Sequence, residues 1–233
     1  MLPSVFTYIN PLYLTSDKIT YLKKELYSEK YVKYIVLDDF LQLDFYKELT
    51  WALIKKKWRW YFDASIAWNY KSWRKFFQRS NIFAALTQLY LSKWFSQYVS
   101  VLFGKKCQLQ QSLDDNKIIY FFLKLLWLKG AMLHSYQQDD FLTWHTDGPI
   151  GTVVWSMVYF MNDKWNEADG GCLQLWKKTT SPDSSIIAYQ DIPPIWNRLV
   201  LFLTEHDTSW HRVAPVSSPW FERISFHEQF FTV

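Results

Sequence analysis

The spacing of apolar residues divides the chain into a mainly helical first part and a second part that consists of strands. Ile19, Leu22 and Leu26 recur at helical spacing behind the N-cap residue types of Thr15-Ser16-Asp17, and they predict a helix over 15–30. The same reasoning predicts a strand over 32–40 and helices over 44–60 and 81–103. The helix over 81–103 is expected to end at Gly104.

After residue 105 short apolar segments alternate with turn formers such as Gly148-Pro149 and Pro193-Pro194. The predicted strands are 118–128, 131–138, 141–147, 153–162, 172–177, 185–191, 198–204, 210–216 and 222–231. Short strands that follow helices, without alternating with them, are typical of a jelly roll or barrel braced by N-terminal helices. We therefore predict one domain over 1–233, with a helical support region and first strand in 1–105 and a jelly-roll core in 106–233.

Composition and charge narrow the class of protein. Aromatic residues make up 20% of the chain, with 14 Trp, 15 Tyr and 18 Phe, and the net charge is only +4. The mild charge argues against a nucleic-acid partner, although Lys55 to Arg79 is basic and aromatic. Two cysteines make no disulfide framework, and the N-terminus lacks signal-peptide features. We expect a soluble, cytoplasmic protein without a membrane span.

The triplet His145-Thr146-Asp147 is the first candidate for chemistry. On an extended strand His145 and Asp147 point to the same side, with Thr146 opposite. One imidazole and one carboxylate are two thirds of the facial triad that binds Fe(II) and leaves coordination positions open. Most such triplets are surface polar pairs, so the spacing alone leaves both interpretations open.

Two later segments carry further polar residues on predicted strands. His211 can lie beside His145 in a jelly roll, although a lone strand histidine is more often a hydrogen-bonded core residue. Arg223 and Ser225 share one face of the last strand, where a buried guanidinium needs a partner. A carboxylate-bearing cosubstrate would supply that partner, and so would a structural Asp or Glu.

Taken together, these motifs resemble the Fe(II)/2-oxoglutarate-dependent dioxygenases, in particular the prolyl-hydroxylase-like branch and the catalytic domain of ribosomal-protein prolyl hydroxylases. The segments that carry the resemblance are Val36 to Leu41, Tyr136, Asp140 to Leu142, His145 to Asp147, Ile150-Gly151, Val158 to Asn162, Asp169 to Trp176, Asn197 to Phe202, Trp210 to Val216 and Arg223 to Ser225. The resemblance thus covers most of the chain.

The resemblance implies a ligand set and a cosubstrate site. It implies that His145, Asp147 and His211 bind Fe(II), with 2-oxoglutarate and O2 as cosubstrates. It also implies four residues at the 2-oxoglutarate site, of which Arg223 anchors the distal carboxylate: Arg223, Ser225, Tyr136 and Tyr159. The implied activity is hydroxylation of a protein or peptide residue, with proline as the best single candidate.

Departures from the family pattern leave the substrate open. Where the family commonly continues from Arg-x-Ser to Gly-Trp, this chain has Glu228-Gln229, and His227 adds a titratable group on the Arg223 face. The same chemistry on a free amino acid, another small molecule or a modified nucleobase is one alternative. A catalytically silent, cupin-like binding module is another. The target residue, the oligomeric state and iron occupancy in the cell are not specified by the sequence.

Overall fold

The computed structural model describes residues 7–28, 32–55, 60–65, 70–75, 89–90, 92–109, 132–147, 153–162, 164–177, 189–205 and 209–232. Its helices are α1 (Ser16–Leu26), α2 (Leu43–Lys55) and α3 (Lys93–Phe103). Its strands are β1 (Tyr34–Leu37), β2 (Trp60–Ser65), β3 (Tyr70–Lys75), β4 (Cys107–Leu109), β5 (Met132–Tyr136), β6 (Phe141–His145), β7 (Val153–Phe160), β8 (Leu173–Lys177), β9 (Tyr189–Ile192), β10 (Arg198–Glu205), β11 (Ser209–Val213) and β12 (Arg223–Thr232).

The eight strands β5 to β12 form two four-stranded layers. One layer has the order β10-β7-β12-β5 and the other has the order β6-β11-β8-β9. Consecutive strands from β5 to β8 fall alternately in the two layers, and every pairing is antiparallel. This exchange between layers is the arrangement of a jelly roll, and the predicted mainly β fold class is confirmed.

Strands from the first part of the chain extend this core. β1 pairs with the outer edge of β10, and β4 pairs with the C-terminal half of β12. The hairpin of β2 and β3 joins the two layers, because β3 pairs with β5 at one end and with β6 at the other. The sequence predicts only one strand before residue 105, so this hairpin adds two strands to the predicted support region of helices and a first strand.

Side-chain alternation along β7 separates two hydrophobic cores. Trp155, Met157 and Tyr159 pack with the N-terminal helices in the larger cluster. Val158 and Phe160 point the other way, into a smaller cluster that also contains Leu173, Leu175 and Phe202 and lies between the two strand layers. The interior of the jelly roll, which is where a site can form, is therefore lined by the even-numbered residues of β7.

Local capping explains where the helices begin and end. Thr15 accepts a hydrogen bond from the Lys18 amide at 3.3 Å, and Ser92 accepts one from the Phe95 amide at 3.0 Å. α3 ends at Gly104, whose φ of 61° is the left-handed conformation expected of a helix C-terminus.

Within the described residues no helix is both long and apolar enough to cross a membrane.

Two predicted helix boundaries are wrong. The helix predicted over 44–60 ends at Lys55, and Trp60 already belongs to β2. The helix predicted over 81–103 begins anew at Lys93, because Ser92 caps it in an extended conformation. The strand predicted over 118–128, residues 81–88 and the turn at Gly148-Pro149 lie outside the described residues.

Asn197 ties the strand layer to the N-terminal support. Its carboxamide accepts hydrogen bonds from the Leu41 amide at 2.9 Å and from the Tyr159 hydroxyl at 2.8 Å, and it donates to the Leu41 carbonyl at 2.8 Å. Its backbone has a φ of 54°, a left-handed conformation that asparagine tolerates better than most residues. Asn197 is therefore a structural residue at the start of β10.

We expect Asn197→Ala to lower the free energy of unfolding by about 2–4 kcal/mol, because it leaves buried polar groups unpaired and keeps the unfavourable φ. Tyr159→Phe, which removes one of the same hydrogen bonds, is the matched control and should cost about 1 kcal/mol. Urea denaturation of both variants checks this. A smaller loss in Asn197→Ala than in Tyr159→Phe would contradict the assignment.

Candidate active site

β6 and β11 bring the predicted metal ligands together. His145 ends β6, Asp147 follows two residues later, and His211 is the register partner of His145 on β11. The two imidazole rings lie 4.0 Å apart between centroids. One ligand atom from each of the three residues lies within 4.8 Å of the others, so His145, Asp147 and His211 form a group that could hold a metal ion.

The carboxylate of Asp147 faces both histidines. Its Oδ1 lies 3.8 Å from Nε2 of His145, and its Oδ2 lies 3.5 Å from Nε2 of His211. The Nε2 atoms of the two histidines are thus the ring nitrogens that face the carboxylate and could bind a metal. The three donors converge from one side, as in a facial triad of two imidazoles and one carboxylate.

Hydrogen bonds orient two of these side chains, His145 and Asp147, and an aromatic ring packs against the third, His211. Nδ1 of His145 lies 2.9 Å from the Thr143 carbonyl, so this nitrogen carries the proton and leaves the Nε2 lone pair for a metal. Ser156 of β7 donates its hydroxyl proton to Oδ2 of Asp147. The ring of Phe202 packs edge-on against His211, with 4.9 Å between centroids.

Electrostatics keep His211 neutral. Burial lowers the pKa of His211 to about 3, and neighbouring His145 lowers it as well, while Asp147 acts in the opposite direction. A neutral imidazole is the form that binds a metal. The donor set, the tautomer of His145 and the charge state of His211 therefore all fit Fe(II), which the 2OG-Fe(II) oxygenases use.

Ser156→Ala should weaken Fe(II) binding by roughly 10- to 100-fold, because Asp147 loses the hydroxyl that orients it. Ser156→Thr, which keeps a hydroxyl, should retain most of the affinity. Thr204→Val removes another buried hydroxyl, which donates to the Val154 carbonyl, and serves as the control without an effect on iron. Competition with a chromophoric chelator measures all three; unchanged affinity in Ser156→Ala would refute the role of Ser156.

Arg223, at the start of β12, is the largest fully buried side chain of the described residues. Its Nη1 donates to Oγ of Ser225 at 2.8 Å, whereas Nε and Nη2 have no hydrogen-bond partner within the described part of the chain. These two nitrogens form one edge of the planar guanidinium. An edge with two parallel N–H groups matches the two oxygens of a carboxylate.

The surroundings of Arg223 shape this open edge. The guanidinium carbon lies 4.9 Å from the ring centroids of both Tyr136 and Phe160. Gly171, with a φ of 71°, passes so close that an added Cβ would lie 3.3 Å from Cδ of Arg223. Burial lowers the pKa of Arg223 to about 10, so the group remains charged at neutral pH. A buried cation of this kind fits the distal carboxylate of 2-oxoglutarate.

The metal ligands and Arg223 lie against the same wall of the jelly-roll interior. Ser156 contacts Asp147, and Phe160 contacts Arg223, and both side chains are on the even-numbered face of β7. Ser156 and Phe160 are four positions apart, which corresponds to about 13 Å along an extended strand. A metal site and a carboxylate site thus share one interior wall.

The structure corrects the expectation for Tyr159. Strand alternation directs its side chain to the opposite face of β7, into the core formed with the helices. Its hydroxyl donates to Asn197, and its ring lies 5.9 Å from that of Tyr90. Tyr159 is therefore a structural residue, and Phe160 next to it is the one that contacts Arg223.

Other predicted residues lie around Arg223. Tyr136 is the register partner of Arg223 on β5, and Ser225 follows on the same face of β12. His227 and His134 lie beside them, with 4.5 Å between the centroids of their rings. Sequence reasoning missed Ser156, although a single serine in the apolar strand Val153–Phe160 is a signal that could have found it.

Trp144 and Trp210 pack behind the site. With Trp176 they form a row on the outer face of β6, β11 and β8, at centroid distances of 5.9 and 6.1 Å. The guanidinium of Arg212 covers Trp144 at 4.6 Å. These residues support the strands that carry His145 and His211.

Comparison with known proteins supports the resemblance over the C-terminal part of the chain. The family model described as the 2OG-Fe(II) oxygenase superfamily matches residues 131–230, which include the three candidate ligands and Arg223. No curated protein matches the chain significantly. The predicted resemblance to Fe(II)/2-oxoglutarate-dependent oxygenases is thereby confirmed.

Solved structures share the fold at low sequence identity. A prolyl-4-hydroxylase from Pseudomonas putida matches with a TM-score of 0.54 and 17% identity, over 92% of this chain and 98% of that one. A prolyl hydroxylase from Trichoplax adhaerens, in complex with a peptide fragment of the hypoxia-inducible factor oxygen degradation domain, matches with a TM-score of 0.58 and 16% identity, over 92% and 88%. The non-heme, alpha-ketoglutarate-dependent epimerase SnoN from nogalamycin biosynthesis matches with a TM-score of 0.58 and 12% identity, over 91% and 84%.

Proposed function

We propose that this protein, whose residues 131–230 belong to the 2OG-Fe(II) oxygenase superfamily, is an Fe(II)- and 2-oxoglutarate-dependent dioxygenase that hydroxylates a protein or peptide residue, with proline as the best candidate. One observation carries the proposal. The group of His145, Asp147 and His211 and the open edge of Arg223 lie along the same interior wall. A catalytically silent binding module would have no need for three converging metal ligands. It would also have no need for a buried guanidinium that lacks a carboxylate partner among the described residues.

The chain's own residues bind and orient the reactants. His145, Asp147 and His211 would hold Fe(II) from one side, so that its remaining positions are open to the cosubstrates. Nε and Nη2 of Arg223 would bind the distal carboxylate of 2-oxoglutarate, with Tyr136 against the guanidinium. Bound iron and 2-oxoglutarate supply the oxidative chemistry, in which O2 is consumed and 2-oxoglutarate is decarboxylated to succinate.

Apolar side chains between these two ends keep the interior dry. Val158, Phe160 and Phe202 are buried and line the wall between the metal ligands and Arg223. A dry interior strengthens the attraction between Arg223 and a carboxylate and protects a reactive iron centre from side reactions. The role of the protein is therefore orientation and exclusion of water, and the cofactor performs the redox step.

The choice of a protein substrate rests on similarity. Prolyl hydroxylases are among the similar structures, and one of them was solved with a bound peptide fragment. The epimerase SnoN has the same fold, so a small-molecule substrate is the alternative within the same chemistry. We also propose that 1–233 form one domain, in which the support of 1–105 contributes β1 to β3 to the jelly-roll core of 106–233.

The experiment is an assay of succinate formation with a panel of substrates. Fe(II)-loaded protein is incubated with 2-oxoglutarate, O2 and either proline-containing peptides or free amino acids and other small metabolites. Succinate equimolar with a peptide that gains one oxygen atom supports the proposal, and Asp147→Ala is the inactive control. If succinate forms only together with an oxidised small molecule, the substrate is that small molecule and not a protein or peptide residue. Correctly folded protein that forms no succinate with any substrate would favour the silent binding module.

A further inference from the structure

The face of β12 that carries Arg223 continues with Ser225 and His227. Nη1 of Arg223 and Oγ of Ser225 are 2.8 Å apart, and Oγ of Ser225 and Nε2 of His227 are also 2.8 Å apart. Ser225 and Arg223 are both fully buried. Three polar side chains thus form one chain of hydrogen bonds that begins at the candidate cosubstrate anchor.

The direction of these hydrogen bonds follows from their donors. A guanidinium can only donate, so Ser225 accepts from Arg223. The single hydroxyl proton of Ser225 then needs an acceptor, because an unsatisfied buried hydroxyl costs free energy. Within the described residues the recorded neighbour that can accept it is Nε2 of His227. The chain therefore runs from Arg223 through Ser225 to His227.

The charge state of His227 agrees with this direction. Its ring is tilted by 30° against that of His134 at a centroid distance of 4.5 Å. Burial lowers the pKa of His227 well below its usual value, and the nearby groups His134, Arg223, His211 and His145 lower it further. A neutral imidazole with its proton on Nδ1 has a lone pair on Nε2 for the Ser225 proton.

We propose that His227 is a positioning residue for the cosubstrate: by accepting the Ser225 proton it fixes Ser225, which in turn fixes the edge that Arg223 presents to a carboxylate. The inference rests on the proposed function, because it assumes that Arg223 binds 2-oxoglutarate. The rings of Tyr136 and Phe160 contact the guanidinium, with 4.9 Å from its carbon to each centroid, but such ring contacts leave its in-plane orientation free. The Ser225 contact occupies Nη1 and leaves Nε and Nη2 together on the open side.

The test compares replacements of His227 that differ in one property. His227→Phe keeps a ring against His134 but has no acceptor, whereas His227→Gln offers an amide oxygen. We expect His227→Phe to raise the dissociation constant of 2-oxoglutarate roughly 3- to 10-fold, the effect of one hydrogen bond. His227→Gln should restore it to within about twofold, and Fe(II) affinity should not change in either variant. Calorimetric titration of the metal-loaded protein measures both constants.

A double-mutant cycle shows whether the effect passes through Ser225. Ser225→Ala should weaken 2-oxoglutarate binding on its own, and the addition of His227→Phe should cause no further loss. Losses of 2-oxoglutarate affinity that add up in the double variant would overturn the inference. Tighter binding of 2-oxoglutarate in His227→Phe would also overturn it, because it would mean that Ser225, once released from His227, donates its proton to the cosubstrate. If the wild-type protein binds Fe(II) but no 2-oxoglutarate, both the inference and the proposed function fail. If it binds 2-oxoglutarate and His227→Phe does not change the affinity, only the inference fails.

Discussion

His211→Ala is expected to abolish Fe(II) binding and, with it, all turnover. His211 supplies one of three converging ligand atoms and is held neutral by burial, so its loss leaves a two-residue site. The affinity should fall by more than the roughly 10- to 100-fold that is typical of losing an outer-shell partner. Metal analysis of the purified protein and a chelator competition measure the loss.

The control for this variant is on the same strand. Trp210→Phe changes a large side chain next to His211 that points to the outer face, toward Trp176. It should leave Fe(II) affinity unchanged, while thermal unfolding confirms that both variants are folded. Folded His211→Ala that binds Fe(II) as tightly as the wild-type protein would show that the histidine is a core residue.

Arg223→Met is expected to raise the dissociation constant of 2-oxoglutarate by roughly 100-fold or more. The substitution removes two charge-assisted hydrogen bonds, each worth about 1.5–3 kcal/mol, and it keeps a side chain that can fill the buried space. Fe(II) should bind as in the wild-type protein, because within the described residues Arg223 donates a hydrogen bond to Ser225 and none to the three candidate ligands. Isothermal titration with 2-oxoglutarate measures the change.

The thermal stability of Arg223 variants distinguishes a residue that binds the cosubstrate from one that forms a structural ion pair. Because Nε and Nη2 of Arg223 have no hydrogen-bond partner among the described residues, the guanidinium is a costly buried charge in the absence of the cosubstrate. Arg223→Met should therefore unfold at the same or a higher temperature than the wild-type protein when no 2-oxoglutarate is present. Arg223→Lys keeps the charge without the fork and should bind 2-oxoglutarate with intermediate affinity. A large loss of stability in Arg223→Met would indicate a structural ion pair instead.

The sequence predicts the candidate metal ligands from a signal that is local and periodic, and the structure brings the three side chains together. Strand alternation places His145 and Asp147 on one side, and His211 lies opposite His145 once β6 and β11 pair. Arg223 and Ser225 share a face for the same reason, and the structure keeps them in contact. What these residues bind is an inference from chemistry and from the family, and the variants above test it.

Tyr159 shows where strand periodicity fails. Both faces of β7 are buried, one against the helices and the other inside the jelly roll, so the strand is apolar throughout and its phase cannot be read from hydrophobicity. The side-chain period of two means that an error of one residue exchanges the faces. Within β7, Ser156 indicates which side chains face the jelly-roll interior, because a buried hydroxyl must have a hydrogen-bond partner.

The support region was harder to predict for a different reason. β2 is rich in aromatic residues and β3 in basic ones. Their strand character depends on pairing of β3 with β5 and β6, which lie about sixty or more positions later in the chain. The contact between His227 and Ser225 is local, but its importance depends on the orphaned edge of Arg223. Such features require the three-dimensional structure.

The most direct test of the central claim is an anaerobic titration of Fe(II)-loaded protein with 2-oxoglutarate, followed by visible absorption. We expect a charge-transfer band that saturates with 2-oxoglutarate, is absent in His145→Ala and requires much more 2-oxoglutarate in Arg223→Met. Folded, iron-treated wild-type protein without such a band would contradict the assignment of His145, Asp147 and His211 as an iron site that works with 2-oxoglutarate.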